Sequence, residues 1–106
     1  MIVKSPVLPD QMRKIPESFS WIDHRLVSEK HIDLCSHAAA AMYLFLVCVG
    51  DDKGLSYYGD KFIISKLSMD LQTLQSAQSD LVQNGLLAWQ TPIYQVLCLR
   101  REVSND

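Results

Sequence analysis

The chain has 106 residues, of which 48% are apolar and 21% charged, enough for one globular domain with a single core. Its formal net charge of −2 produces no overall positive field that would draw the protein to a polyanion. The three cysteines, Cys35, Cys48 and Cys98, lack the spacing of a disulfide framework, which is typical of a reducing compartment. Because Cys48 and Cys98 stand in apolar runs, we expect both thiols to be core residues.

The N-terminal third is expected to be an arm followed by a packed segment. Residues 1–9 contain no apolar stretch of signal-peptide length, and the apolar run at residues 38–49 is too short to span a bilayer, so we expect a cytoplasmic protein without membrane contact. Prolines 6, 9 and 16 predict an extended arm over residues 1–18. A folded domain over residues 19–100 and a polar tail over residues 101–106 complete the predicted organisation.

The first main helix is predicted to run from Ser36 or His37 to about Val49. Ser36 is a suitable N-cap, and Gly50 ends the helix. Residues 38–49 include no charged side chain, so the helix has no polar face and is expected to be buried all round. The N-terminal segment with Phe19 and Trp21, or a second subunit, is needed to cover it.

Two further helices and a small sheet follow. Residues 55–58 form a short predicted strand, and residues 61–67 form the second helix with Asp60 as its N-cap. The third helix, residues 71–84, starts at the cap residue Asp70 and ends at Gly85. Short apolar runs at residues 86–89 and 93–99 predict two strands broken at Thr91-Pro92. The fold class is therefore α+β and mainly α.

Helical spacing divides the third helix into two faces. The buried side is predicted to carry Leu71, Leu74, Gln78, Leu81 and Val82. The outward side is predicted to carry Gln72, Thr73, Ser76, Ser79, Asp80 and Gln83. Gln, Thr and Ser can all hydrogen-bond base edges, whereas Asp80 would face phosphates with the wrong charge.

The register around the second and third helices resembles that of winged-helix families, found in bacterial regulators and in plasmid and phage replication initiators. The residues that carry the resemblance are Ile63-Ile64-Ser65-Lys66-Leu67-Ser68-Met69-Asp70, Leu74, Leu81 and Gly85-Leu86-Leu87. The chain departs from the pattern at Ile64 and Ser68, where a small residue and a turn glycine are usual. Residues 16–26 and 54–58 also look like small uncharacterised bacterial helix-turn-helix proteins associated with mobile elements.

The resemblance covers residues 36–99 and implies a winged helix-turn-helix with three main helices and a two- to three-stranded antiparallel sheet. It implies double-stranded DNA as the partner, with Gln72, Thr73 and Ser76 as base contacts. Backbone contacts would come from Lys61 and Lys66. Arg100 and Arg101 after the last strand, and Lys4, Arg13 and Lys14 on the arm, are further candidate phosphate contacts.

Two functional hypotheses follow. The first is a DNA-binding regulator or accessory factor of transcription, replication or transposition, forming a homodimer through the N-terminal segment and the first helix. The alternative is a winged-helix interaction or dimerisation module that does not itself bind DNA. Lysines and arginines gathered beside Gln72 would favour the first hypothesis, and dominance of Asp60, Asp70 and Asp80 would favour the second.

Other groups of residues give weaker evidence for a functional site. The spacing of His31, Cys35 and His37 matches no standard zinc site, so no metal ligand is predicted. No histidine accompanies a nucleophile in a recognisable motif, and no glycine-rich phosphate loop exists, so we predict no catalytic residues, no cofactor and no enzyme activity. An aromatic set could stack on bases, but we expect these side chains to be core and sheet residues: Trp21, Tyr57, Tyr58, Trp89 and Tyr94.

Overall fold

The computed structural model describes residues 2–99. In the described chain, four α-helices and three β-strands follow one another. The helices are α1 (Arg25–Ser28), α2 (His37–Val49), α3 (Asp60–Leu67) and α4 (Leu71–Gln83). The strands are β1 (Leu55–Ser56), β2 (Leu87–Gln90) and β3 (Ile93–Val96).

The helix termini follow local sequence chemistry. The Ser36 hydroxyl accepts a hydrogen bond from the Ala39 N–H at 3.0 Å, which caps α2 as predicted. The Asp70 carboxylate accepts one from the Thr73 N–H at 2.8 Å, which caps α4. The predicted cap at Asp60 is wrong, because Gly59 occupies the N-cap position and Asp60 lies in the first turn of α3. There its negative charge still faces the positive end of the helix dipole.

The sheet has the strand order β1-β3-β2 and is antiparallel throughout. Trp89 of β2 pairs with Tyr94 of β3, and Ser56 of β1 pairs with the same tyrosine from the other side. The turn before β1 approaches β3 so closely that a Cβ at Gly54 would lie 2.8 Å from the Val96 carbonyl oxygen. Gly54 also has a φ of +80°, so the turn requires glycine.

Helix α2 packs across α4, and the sheet closes one end of this pair. The fully buried side chains come from all three main helices and the sheet, and they include Met42, Leu46, Ile63, Leu74, Leu81, Leu86, Leu87 and Tyr94. The α3-turn-α4 unit followed by the β2-β3 ribbon forms a winged-helix arrangement, so the predicted α+β, mainly helical fold is confirmed. No helix among residues 2–99 is long and apolar enough to cross a membrane.

Two expectations about burial are wrong. Cys48 and Cys98 are exposed rather than core residues. The packed segment expected around Phe19 and Trp21 is absent, because residues 2–22 are all exposed, although Leu26 in α1 joins the core. Within one chain, Leu44 of α2 is 53% exposed on the side away from the core, so coverage of this side by a second subunit stays a prediction. The apolar pattern of these segments is therefore not explained by the packing of one chain.

Candidate nucleic-acid interface

The turn between α3 and α4 sets the direction of the candidate reading helix. Ser68 ends α3 in the left-handed conformation, with φ 54° and ψ 50°. Its neighbour Met69 donates its N–H to the Ile64 carbonyl at 3.1 Å, and Asp70 then caps α4. The turn therefore forms with Ser68 at the position where winged-helix families usually have glycine. Ser68 thereby adopts a left-handed backbone conformation, which residues with a Cβ disfavour.

The exposed face of α4 carries most of the predicted base contacts. Gln72 and Ser76 are exposed near the N-terminal end of the helix. Thr73 is half-buried, and its N–H donates to the Asp70 carboxylate that caps α4. Hydrogen bonds from the Thr73 hydroxyl and N–H hold the pKa of the Asp70 carboxyl below its usual value. Gln72 and Ser76 are therefore more available to a ligand than Thr73.

The buried face of α4 is rotated relative to the predicted one. Leu71 and Val82 are 46% and 44% exposed instead of buried, and Ala77 joins Leu74, Gln78 and Leu81 in the core. The rotation brings Gln75, which we did not predict as a contact, onto the exposed face between Leu71 and Ser79. A helical projection centred on the smallest apolar residue, Ala77, would have identified it.

Asp80 does not project towards a ligand on that face, contrary to prediction. One carboxylate oxygen accepts the Ser36 N–H at 2.9 Å, and the other accepts the Asn84 side-chain amide at 3.0 Å. The Asn84 amide also donates to the Leu34 carbonyl at 3.2 Å. Asp80 therefore places a negative charge at the N-terminus of α2, where the helix dipole favours it.

A buried hydrogen bond joins α4 to the sheet. The Gln78 side-chain amide donates to the Tyr94 hydroxyl, and the two residues are 3% and 2% exposed. Burial raises the pKa of the Tyr94 phenol above its usual value. The Trp89 ring stacks on Tyr94, with centroids 5.9 Å apart. This chain of contacts fixes the position of the ribbon relative to α4.

The candidate backbone contacts lie on α3. Lys61 and Lys66 are both exposed, and the Lys66 ammonium lies 5.5 Å from the centroid of the Phe62 ring. Arg100 and Arg101 lie outside the described residues. On the arm, Lys4, Arg13 and Lys14 are exposed.

Of the five aromatic residues expected in the core or the sheet, Tyr94 is a buried sheet residue and Trp89 is a partly exposed one, whereas the expectation is wrong for Trp21, Tyr57 and Tyr58. Trp21 is 76% exposed, Tyr57 73% and Trp89 44%. At the tip of the ribbon a cleft of about 480 Å³ lies between the β1–α3 segment and the β2–β3 turn. We call it the aromatic cleft; it is lined by Tyr57, Tyr58, Gly59, Asp60, Lys61, Trp89, Thr91, Pro92 and Tyr94.

A second exposed surface, apolar except for His37 at its start, lies on α2. His37, Leu44 and Cys48 are exposed and Ala41 is half-buried, and these four residues, which we call the α2 stripe, follow one side of the helix. Phe19 and Trp21 line a groove of about 610 Å³ with Tyr43 and Val47, on a side of α2 that contains none of the four stripe residues. Phe19 and Trp21 are themselves 64% and 76% exposed, so the N-terminal segment leaves this stripe uncovered.

Among residues 2–99, no three His, Cys, Asp or Glu side chains are grouped as metal ligands. Comparisons of the chain with protein-family models, with curated proteins and with solved structures find no match.

Proposed function

We propose that the protein is a small winged-helix DNA-binding protein that acts in the cytoplasm as a regulator or accessory factor of transcription, replication or transposition. One observation carries the proposal: Gln72, Gln75 and Ser76 form an exposed, uncharged hydrogen-bonding face near the start of α4. Glutamine and serine can read base edges in the major groove, and a helix in this position of a winged-helix domain is the usual reader.

The carboxylates near α4 repel DNA phosphates less than the number of acidic residues there implies. Asp80 accepts a hydrogen bond from the Ser36 N–H at the N-terminus of α2, and Asp70 accepts one from the first turn of α4. Lys61 and Lys66 on α3 are free to contact the phosphate backbone, which positions a reading helix without specifying sequence. Few phosphate contacts imply weak binding by one copy.

A homodimer would compensate for this weakness, since linking two half-sites raises the overall affinity by orders of magnitude. The α2 stripe supports such a dimer. Its members at positions 37, 41, 44 and 48 are spaced four, three and four residues apart, which is the spacing of a helix–helix seam. No Asp, Glu, Lys or Arg occurs at positions 37–49, so two copies of α2 can pair without burying a carboxylate, an ammonium or a guanidinium group. The N-terminal segment would extend this interface.

The testing experiment is a titration of the full-length protein against random-sequence duplexes and against duplexes from its own upstream region, at two salt concentrations. We expect binding at micromolar concentrations or tighter, with an affinity that falls steeply as salt rises.

Gln72→Ala with Ser76→Ala should weaken binding to a preferred duplex at least about tenfold, the cost of one lost base contact. Gln83→Ala, an exposed residue at the other end of α4, is the matched control. Equal affinities of the two variants would exclude α4 as the reader, and no binding at low salt would exclude DNA.

A winged-helix interaction module without DNA affinity is the second candidate. It is favoured by the apolar surface that one chain leaves open, including Leu44, Trp21 and the aromatic cleft. Dimerisation without salt-dependent DNA binding in the titration above would support it.

A further inference from the structure

The α2 stripe lies on the side of α2 that is directly opposite the core. At about 100° per residue, the stripe residues centre about 180° from the four buried residues of the helix, which are Ala39, Met42, Tyr43 and Leu46. Ala40 and Phe45 on the two flanks of the stripe are half-buried. The open surface of α2 is therefore a narrow strip, of the width that one further helix covers.

The stripe has the same spacing when it is read from either end. Ala41 and Leu44 are equidistant from a midpoint between residues 42 and 43, and so are His37 and Cys48. A two-fold axis through this midpoint and perpendicular to the helix therefore places Leu44 of one copy opposite the partner's Ala41, and His37 opposite the partner's Cys48. An interface between two identical copies requires a surface that complements itself in this way.

Side-chain size decides between the two orientations in which a pair of α2 helices can pack. In a parallel pair each stripe residue meets its own copy, so Ala41 leaves a gap against alanine and Leu44 crowds leucine. In an antiparallel pair the large Leu44 faces the small Ala41 at both contacts, which fills the space evenly. The dipoles of two antiparallel helices also attract each other.

Exposed aromatic side chains extend the stripe on one flank. The Phe45 ring contacts the rings of Tyr58 and Phe62, with centroids 5.5 Å and 6.3 Å apart. Tyr58 and Phe62 are 37% and 44% exposed. A two-fold axis perpendicular to α2 brings this flank against the same flank of the partner, so that aromatic surface from both copies adds to the contact. A stable dimer needs this additional area, because one helix face by itself supplies little.

We propose that α2 pairs with the α2 of a second copy in antiparallel orientation, with Leu44 against the partner's Ala41 and His37 beside the partner's Cys48. The inference rests on the proposed dimer and specifies its orientation. In this pair Cys48 and the partner's Cys48 are about 16 Å apart along the helix axis. A disulfide requires Cα atoms within about 7 Å, so these two cysteines cannot form one, whereas a cysteine at position 37 can bond to the partner's Cys48.

The test uses the full-length chain with Cys35→Ser and Cys98→Ser, which leaves Cys48 as the sole cysteine. The variants are mildly oxidised at a concentration at which sedimentation velocity shows the dimer, and covalent dimer is measured on a non-reducing gel. His37→Cys in this background should convert most of the protein to covalent dimer. Two matched controls should give little of it: the background with Cys48 alone, and His37→Cys combined with Cys48→Ser. Adding Leu44→Asp to the bridging variant should prevent the bridge.

An exchange of side chains gives an independent readout. Leu44→Ala and Ala41→Leu should each weaken the dimer about tenfold or more, because one removes a buried leucine and the other overfills its contact. The double variant should recover most of the loss, since each contact again holds one large and one small side chain. Sedimentation velocity of the three variants measures the coupling.

Each failure has a distinct signature. Bridging by Cys48 alone to the same extent as the His37→Cys variant would overturn the antiparallel orientation but leave the proposed dimer intact. A dimer that forms no bridge in any variant would overturn α2 pairing and place the interface elsewhere. A monomer at every concentration would overturn the inference together with the proposed dimer, while DNA binding by α4 would still be tested separately by the titration.

Discussion

The side chain of Gln78 donates a hydrogen bond to the phenolic oxygen of Tyr94, which joins the centre of α4 to the middle of the sheet inside the core. Both residues are almost completely buried. Because a buried amide pays a desolvation cost that only a hydrogen bond offsets, this pair links the orientation of the exposed α4 face to the position of the ribbon.

Tyr94→Phe is expected to lower the free energy of unfolding by about 1–3 kcal/mol, because it leaves the Gln78 amide buried without its partner. The double variant Gln78→Leu with Tyr94→Phe should recover much of this loss, since no polar group then remains unsatisfied. Denaturant titrations of the two single variants and the double variant measure the coupling. Tyr57→Phe, which changes an exposed phenol, is the control and should stay within about 0.5 kcal/mol of the parent. Additive losses would show that the hydrogen bond does not couple the elements.

Ser68→Gly is expected to stabilise the protein by about 1 kcal/mol. Ser68 adopts a left-handed conformation at the α3–α4 turn, which costs a residue with a Cβ about 1–2 kcal/mol and costs glycine little. The greater freedom of glycine in the unfolded chain offsets part of the gain. Thermal unfolding should show a melting temperature above that of the parent, whereas Ser65→Gly, inside α3, should lower it. A lower melting temperature for Ser68→Gly would mean that the turn is not strained.

Stability is expected to decline as the pH falls from about 5 towards 2. The Arg25 guanidinium, bonded to Asp23 at 2.7 Å, and the Arg25 N–H lower the pKa of that carboxyl to about 2. Hydrogen bonds from the Leu55 and Lys53 N–H groups lower the pKa of Asp51. Since these folded-state values lie below the unfolded value near 4, the stabilisation is complete above the unfolded pKa and is lost as the pH falls through the folded one.

Asp23→Asn should therefore make the decline shallower, with the largest difference from the parent above pH 4 and little difference near pH 2. Thermal unfolding at half-unit pH intervals measures it. Asp52→Asn is the control, because the Asp52 carboxylate accepts no hydrogen bond within residues 2–99. A parallel pH profile for Asp23→Asn and the parent would refute the role of the Arg25 pair.

Leu44→Asp is expected to separate the proposed dimer without unfolding the chain. Leu44 is more than half exposed on α2, so a carboxylate there remains hydrated in one copy but would be buried in a pair of α2 helices. Sedimentation should give a monomer whose circular dichroism matches that of the parent. Leu46→Asp, two residues on and fully buried, should instead unfold the domain. A dimer that survives Leu44→Asp would exclude the α2 stripe as the interface.

The sequence by itself determined the three main helices, the ribbon and the ends of α2 and α4, but not the short helix α1. Ser36, Asp70 and Gly85 mark helix termini through hydrogen bonds and backbone conformations that involve only neighbouring residues, so pattern reasoning located α2 and α4. After Gly85 the apolar residues change from helical spacing to short continuous runs, and this local change located the β2-β3 ribbon. Gly59 escaped this reasoning because the acidic residue beside it is an equally good local signal for a helix start.

Only the tertiary structure decided which surfaces are open. The rotation of α4 that exposes Gln75 depends on how Ala77 and Gln78 pack against α2 and β3, which are distant in sequence. Asp80 is turned away from the α4 surface by Ser36, 44 residues earlier. The exposure of Leu44, Cys48 and Trp89 also depends on tertiary packing. Burial of an apolar side chain is favourable, but the side chain itself does not determine which partner buries it. In the part of the chain that the structure describes, these three side chains remain exposed.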